Sequence, residues 1–146
     1  MSIEMTAIQT DYQKPLPAPD PESAPFWAGA KEHRLLIVRC SACGTHRFPA
    51  TSFCPACQSP DLQWVPASGR GKVFSWIVVR HPVPRDIYAQ DVPYVVALVT
   101  LEEGPRITTN IVGCAPDAVF ADMPVTVTFR DVTADITLPQ FKPLSA

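Results

Sequence analysis

The sequence predicts a mainly β protein composed of a short N-terminal helix, a metal-binding ribbon and a small barrel of about five strands. Two observations support this prediction. Four of the five cysteines stand in two Cys-x-x-Cys pairs, and from residue 62 onward short apolar runs are separated by turn residues. A chain of 146 residues has room for one modest core beside a module too short to fold without its metal ion.

Residues 1–22 are predicted to form an extended arm. Pro15, Pro17, Pro19 and Pro21 alternate along it, and proline removes a backbone donor, so neither a helix nor a central strand fits. The segment has no basic start followed by an apolar stretch, as a signal peptide would, and no apolar run in the chain approaches the ~20 residues of a membrane span. We therefore expect a cytoplasmic protein with reduced cysteines and no membrane partner.

A short helix is predicted to open the next module, residues 23–61. Ser23 suits the N-cap, Pro25 suits the first turn, and PFWAGAKEH then supplies about two helical turns. Phe26 and Trp27 form a large apolar pair on so short a helix, and we expect them to dock on a partner protein. The alternative, that they cover this chain's own core, is at least as well favoured.

The cysteine pairs predict one metal site. Each Cys-x-x-Cys loop can direct two sulfurs at one ion, and two such loops complete the tetrahedral thiolate shell that structural zinc favours. In a reducing cytoplasm such pairs are metal ligands more often than disulfides. The predicted zinc ligands are Cys40, Cys43, Cys54 and Cys57. A closed shell indicates a scaffolding role, although four thiolates also bind iron, which leaves a rubredoxin-like electron-transfer role open.

Residues 62–146 are predicted to form the barrel domain. Six β-type segments follow one another: LQWVPA, KVFSWIVV, YVVALVTL, RITTNIV, VTVTFR and ITLPQF. YVVALVTL is apolar nearly throughout, so we expect both of its faces to be covered. Glu102–Pro105 is the predicted hairpin turn after it. Five or six such strands behind a ribbon fit the oligonucleotide/oligosaccharide-binding (OB) barrel.

Charge is segregated along the chain, although the total is only -2. Residues 31–85 hold eight basic and two acidic side chains, whereas both flanking segments are net acidic. A basic middle suits an anionic ligand, the alternative being charges dispersed over a solvated surface. In Gly69–Lys72 two glycines would let the backbone approach a phosphate between two cations, and a plain turn is equally favoured. The candidates for phosphate or partner contact are Arg47, Arg70, Lys72, Arg80 and Lys142.

The sequence offers little to an independent catalyst. Its only histidines are His33, His46 and His81, and none stands in a familiar catalytic setting. Cys114, the unpaired cysteine, is interpreted as a small buried apolar residue in preference to a reactive thiol. We therefore predict no catalytic residues, while an independent enzyme stays open as an alternative.

Several segments together resemble one known family. They are FWAGAKEHRLLIVRCSACGTHRFPATSFCPACQS, GRGKVFSW, VPYVVALVTLEEGPRITTNIVGC and LPQFKP, in this order from about residue 17 to residue 144. The family is that of small acyl-CoA-associated proteins in which a rubredoxin-like zinc ribbon precedes an OB-fold. This resemblance covers most of the chain and is far more specific than the cysteine pairs alone.

The resemblance implies a companion subunit of thiolase-like or lipid-transfer-type enzymes: acyltransferases, thiolases and retro-aldolases. In such complexes the partner carries the catalytic residues, and the small subunit helps to position the coenzyme A part of the substrate. The expected function is therefore that of a non-catalytic zinc protein that binds acyl-CoA and supports a thiolase-like partner. The alternative, a single-stranded nucleic-acid-binding protein, is weakened by a pI of about 5.8.

Overall fold

The computed structural model describes residues 12–144. Its helices and strands, in chain order, are α1 (Ala24–Lys31), β1 (Leu36–Cys40), β2 (His46–Arg47), β3 (Leu62–Pro66), β4 (Arg70–Val79), α2 (Arg85–Tyr88), β5 (Tyr94–Leu101), β6 (Arg106–Ile111), β7 (Pro124–Asp131) and β8 (Thr137–Pro143). Within the described part of the chain, one 3-10 turn lies at Pro116–Ala118. Residues 12–20 form neither helix nor strand, and the part of the predicted arm at residues 1–11 lies outside the described residues.

The strands form two sheets. One is a three-stranded sheet in the order β2-β1-β3, and the other is a closed barrel in the order β4-β5-β6-β8-β7. Neighbouring strands run antiparallel except β6 and β8, which meet in parallel at Ile111 and Phe141. A five-stranded barrel of this kind is an OB-fold. The mainly β fold, with a short N-terminal helix, a cysteine ribbon and a five-stranded barrel, is confirmed.

The first helix is capped by a different residue from the one predicted. Asp20 Oδ1 accepts the backbone N–H of Ser23 at 2.7 Å, and Ser23 Oγ accepts the N–H of Asp20 at 3.1 Å. Ser23 itself has helical backbone angles and makes no side-chain cap bond. The prediction that Ser23 caps the helix is therefore wrong. The chain begins to coil at Asp20, and the Asp20 carboxylate accepts the backbone N–H of Ser23, which has no acceptor within the helix.

The segment LQWVPA pairs within the ribbon sheet, whereas the sequence predicts it as part of the barrel domain. β3 pairs with β1 along its whole length, from Leu36 opposite Pro66 to Cys40 opposite Leu62. The barrel thus begins at β4, and it still has five strands because β8 closes it. A local apolar pattern identifies a strand but not its partner, which is why the assignment failed.

One core joins the two sheets. Phe26, Leu35 and Ile37 from the helix and ribbon belong to the same buried cluster as barrel residues such as Val99 and Phe141. α1 packs against β1 and β8. None of the helices among residues 12–144 is long and apolar enough to cross a membrane. The ribbon is therefore fixed to the barrel by shared apolar packing.

β5 is covered on one face only, contrary to the prediction for YVVALVTL. Val95 and Val99 point into the barrel and are at most 2% exposed, whereas Leu98 is 36% exposed on the outer face. Ile77 of β4, which lies opposite Val96, is 63% exposed on the same side. Successive side chains of a strand alternate between the two faces, so the barrel interior receives only half of this apolar run.

Candidate metal centre and ligand-contact residues

The four predicted ligands converge on one point. The sulfur atoms of Cys40, Cys43, Cys54 and Cys57 all lie within 4.8 Å of one another. The Sγ atoms are 3.6 Å apart in the Cys40–Cys57 pair and in the Cys43–Cys54 pair. A tetrahedral ion with Zn–S bonds of about 2.3 Å requires sulfurs roughly 3.8 Å apart, so the arrangement fits zinc.

The two cysteine loops share one backbone design. The N–H of Cys40 donates to the carbonyl of Thr45, and that of Gly44 donates back to the carbonyl of Cys40, both at 2.9 Å. Cys54 forms the same pair of bonds with Ser59 and Gln58, at 2.9 and 2.7 Å. In each loop the residue after the second cysteine turns with a positive φ, 78° at Gly44 and 65° at Gln58. This repetition explains how Cys-x-x-Cys spacing becomes a pair of convergent sulfurs.

Local contacts lower the pKa of one cysteine ligand and raise the pKa of another. The side chain and backbone of Thr45 lower the pKa of Cys43 to about 6, which favours the thiolate that binds metal. The backbone N–H of Ser59 lowers the pKa of Cys57, but contact with Cys40 and burial outweigh it and raise that pKa to about 12. Four thiols this close together cannot all lose their protons unless a cation balances the negative charge. A bound zinc ion would supply that positive charge.

Arg47 does not reach the protein surface. Its side chain is only 6% exposed, and Nη2 donates to the carbonyl of Thr51 at 2.8 Å. Its cross-strand neighbour is Val38, which also faces Trp64 on the other side. The Arg47 guanidinium is therefore enclosed within the ribbon and is not placed to meet a phosphate or a partner at the surface.

Three other predicted contacts lie together on the outside of the barrel. Arg70 pairs with Thr126, and Thr126 pairs with Lys142, so one strand separates the two cations. With strands about 4.8 Å apart, Arg70 and Lys142 project from points roughly 10 Å from each other. Lys72 follows Arg70 by two residues on the same face, and all three side chains are exposed. Arg70 also lies 3.4 Å from Glu102, which offsets part of its charge. We call Arg70, Lys72 and Lys142 the basic row.

Arg80 lies far from this row. It follows β4, whose ten residues span about 30 Å, and so stands at the opposite end of the strand from Arg70. Its Nη2 atom is 3.3 Å from Asp117 Oδ1. The fold therefore separates Arg80 from the other candidates and gives it a carboxylate partner.

Both glycines of the Gly69–Lys72 segment lie where neighbouring strands leave no room for a side chain. Gly69 has a φ of 81°, and a Cβ there would lie 2.6 Å from Val127 Cγ1. A Cβ on Gly71 would lie 2.5 Å from the carbonyl oxygen of Thr100. Both positions are small because strands pass closely, which favours the reading as a turn entering a strand over that of a phosphate cradle.

The predicted docking pair is divided by the fold. Phe26 is 7% exposed and belongs to the shared core, with its ring 5.1 Å from that of Phe48. Phe26 therefore covers this chain's own core, as the alternative prediction for the pair has it. Trp27 packs edge-on against Phe26 at 5.0 Å and stays half-buried, so it remains the docking candidate of the pair.

A recess at one end of the barrel has no motif in the sequence that marks it. Tyr12 and Lys14 of the arm meet Arg130 of β7 there, around two adjoining cavities. No local motif marks these residues, because they come from opposite ends of the chain. Only the path of the arm across the barrel brings them together.

A cysteine ribbon on a shared core with an OB barrel defines the class of zinc-ribbon OB-fold proteins. Comparison with known families agrees with both halves. Residues 27–63 match the family described as "ChsH2, rubredoxin-like zinc ribbon domain" and residues 64–130 match "ChsH2, C-terminal OB-fold domain". The family division after residue 63 falls within β3, the strand that joins ribbon to barrel.

Individual relatives extend the match to most of the chain. It is 43% identical over 140 residues to a probable enoyl-CoA hydratase alpha subunit of Thermomonospora curvata, covering 96% of this chain but 43% of that protein. It is 42% identical over 111 residues to a DUF35 domain-containing scaffold protein of Methanocaldococcus jannaschii, covering 75% of this chain and 77% of the relative. Among solved structures, the Ltp2-ChsH2(DUF35) aldolase matches with a TM-score of 0.79 and 45% identity, covering 88% of this chain and 98% of that one.

The chain therefore belongs to the ChsH2 (DUF35) family of proteins with a rubredoxin-like zinc ribbon and an OB-fold. The family resemblance predicted from the sequence is confirmed. The match to zinc ribbons and the convergence of four sulfurs both favour zinc as the metal.

Proposed function

We propose that this protein is a non-catalytic subunit that binds the coenzyme A part of an acyl-CoA and supports a thiolase-like or lipid-transfer-type catalytic partner. The main support is the Ltp2-ChsH2(DUF35) aldolase, since this chain covers 98% of the matched chain at 45% identity. The name of that relative joins a ChsH2 component to a second component, Ltp2. A cytoplasmic location stays a prediction.

The arrangement of nucleophiles supports a division of labour. Among residues 12–144 no cysteine or serine side chain is hydrogen bonded to a histidine, and His33 is bound to Asp131 instead. The sulfur atoms of the four ribbon cysteines face one another and are positioned to hold the metal. Acyl transfer and thiolysis need a nucleophile with a base in reach, so we assign these steps to the partner.

The basic row is the proposed contact for coenzyme A phosphates. Arg70 and Lys142 flank Thr126 on the outer face, and Lys72 continues the row along β4. Phosphates bind such exposed cations through charge-assisted hydrogen bonds, with salt weakening the attraction. Arg80 stands apart from this row, and Arg47 is enclosed, so neither is included.

A binding experiment tests the ligand. The zinc-loaded chain is titrated with coenzyme A by calorimetry, beside the double variant Arg70→Gln with Lys142→Gln. We expect the double variant to bind about tenfold or more weakly, because two charge-assisted contacts are lost. Lys31→Gln with Arg34→Gln, which removes the same two positive charges at exposed sites on the helix-ribbon side, is the matched control. If coenzyme A binding weakens equally in the test and control variants, the effect comes from the overall charge of the protein, which would count against the basic row as a specific contact.

A reconstitution experiment tests the role. The chain is co-expressed with a thiolase-like subunit, and acyl-CoA turnover is measured for each component alone and for the complex. We expect turnover to need the partner and to rise when this chain is added. Turnover by this chain alone would refute the non-catalytic assignment.

A further inference from the structure

Two adjoining cavities occupy the end of the barrel that the arm crosses. Their volumes are about 650 and 330 Å³, and Tyr12, Lys14, Asp91 and Arg130 line both. Sites for small ligands have volumes of this order and often lie at the mouths of β-barrels. We call these two cavities the arm recess.

The arm is attached to this recess by specific contacts. Lys14 Nζ lies 3.0 Å from Asp91 Oδ1, and the Lys14 side chain is only 20% exposed. The Arg130 guanidinium lies 5.8 Å from the centre of the Tyr12 ring, within the range of a cation–π contact. The arm therefore forms one wall of the recess, opposite the wall supplied by α2 and the strands.

Three tyrosines contribute to the lining of the smaller cavity. Tyr12, Tyr88 and Tyr94 all line it, and the rings of Tyr88 and Tyr94 are 6.1 Å apart at an angle of 31°. Tyrosine rings present flat surfaces on which planar groups stack. The cavity is thus suited to a planar ring.

Polar groups in the same walls favour a heteroaromatic ring. Asn110 Nδ2 donates to the carbonyl of Val95 at 2.9 Å, which orients the amide and leaves its oxygen to accept from a ligand. Gln140 contributes a second amide to the lining. Amides with both donors and acceptors match the nitrogen-rich edge of a base.

Arg130 supplies a cation for an attached anion. Within residues 12–144 it forms no ion pair, whereas Lys14 is neutralised by Asp91. The adjacent Asp131 is already bonded to His33 and to Thr137. A guanidinium at the rim of an aromatic cavity is suited to a phosphate, which it can bind through two parallel hydrogen bonds.

We propose that the arm recess binds a nucleotide, with the base against the tyrosines and the phosphate on Arg130. The nucleotide is either free or the end of coenzyme A, and the second case rests on the proposed function. Arg130 and Thr126 lie four residues apart on the outer face of β7, about 13 Å along the strand. A ligand as long as coenzyme A therefore spans the recess and the basic row.

The test uses AMP, adenosine and ribose 5-phosphate as probes of the zinc-loaded full chain, by calorimetry. We expect saturable binding of AMP, with adenosine and ribose 5-phosphate each at least about tenfold weaker, because each lacks one half of the contacts. Arg130→Gln is expected to weaken AMP by about tenfold and to leave adenosine unchanged. The control Arg34→Gln keeps full AMP binding. Absence of saturable AMP binding, or equal effects of the two substitutions, would overturn the proposal.

Binding measurements with coenzyme A distinguish nucleotide binding in the arm recess from the proposed acyl-CoA function. Competition between coenzyme A and AMP, together with weaker coenzyme A binding by Arg130→Gln, would identify the ligand as the nucleotide end of coenzyme A. AMP binding without any coenzyme A binding would support the recess and refute the acyl-CoA function. Coenzyme A binding that depends on Arg70 and Lys142 but not on Arg130 would support the acyl-CoA function and overturn the nucleotide recess.

Discussion

His33 Nε2 lies 2.9 Å from Asp131 Oδ1, and this contact links the segment after α1 to the end of β7. The His33 ring stacks on Phe129, with centroids 5.1 Å apart and planes 12° from parallel. The hydroxyl of Thr137 donates to the same carboxylate oxygen. The contact adds a polar tether between helix and barrel to their shared apolar core.

The tether predicts a specific acid sensitivity. Hydrogen bonds from Thr137, and then from His33, lower the pKa of Asp131 below its ordinary value of 3.8. A carboxyl whose pKa is lower in the folded state stabilises the fold above its unfolded pKa, and this contribution is lost as pH falls through the folded pKa. Asp131→Asn should therefore unfold more easily at neutral pH and show a shallower loss of stability on acidification.

Urea unfolding between neutral pH and about pH 3 measures this effect. Asp135→Asn, an exposed carboxylate in the following loop, is the matched control. If the two variants respond alike to pH, the tether makes no distinct contribution.

Loss of one ribbon ligand should abolish zinc binding. In Cys54→Ser a buried thiolate is removed from the sulfur cluster, and structural zinc sites of this kind contribute folding energy directly. We expect about one zinc per chain in the wild type and almost none in the variant, by elemental analysis. Cys114→Ser should keep its zinc because Cys114 lies outside the cluster, and loss of metal there would contradict the assignment.

The cap at Asp20 should matter more as an acceptor than as a charge. Asp20→Ala removes the acceptor of the Ser23 N–H and should measurably lower the free energy of unfolding. Asp20→Asn keeps an oxygen in place and should lose markedly less. Chemical denaturation compares the two variants, and equal losses would show that the side-chain oxygen is not the cap.

Two glycine substitutions should separate steric overlap from backbone strain. A Cβ on Gly71 would meet the Thr100 carbonyl at 2.5 Å, and backbone cannot move aside cheaply, so Gly71→Ala should cost about 3 kcal/mol. Gly104 has open space around it but a φ of 112°, so Gly104→Ala should cost about 1 kcal/mol. Thermal or urea unfolding distinguishes them. A well-folded Gly71→Ala variant that lost only ligand binding would restore the phosphate reading.

Phe26 and Trp27 should differ in what their loss disturbs. Phe26→Ala opens a cavity in the shared core and should lower the free energy of unfolding by about 3 kcal/mol or more. Trp27→Ala should cost less stability, since the side chain is half-exposed, and should weaken assembly with a thiolase-like partner. Stability is measured by denaturation and assembly by size-exclusion chromatography. If Trp27→Ala assembles with the partner as well as the wild type does, the prediction that Trp27 is a docking residue is wrong.

The spacing of the cysteines in the sequence was sufficient to predict the metal centre. Two Cys-x-x-Cys loops carry their geometry within a few residues, so the convergence of Cys40, Cys43, Cys54 and Cys57 follows from sequence alone. The alternation and turn signals likewise predicted the strands from β4 to β8, because each strand shows its own period. The family resemblance rested on the order of these segments and did not need their contacts.

Tertiary structure decided every question that depends on residues distant in sequence. The partner of β3, the enclosure of Arg47 and the separation of Arg80 from the basic row follow from strand pairing, which no single segment encodes. The arm recess depends on which part of the barrel the arm crosses. The sequence by itself determined the ribbon, the barrel and the family. The cross-strand register and the shared core determined which charges meet at the surface, because those contacts exist only after the chain has closed on itself.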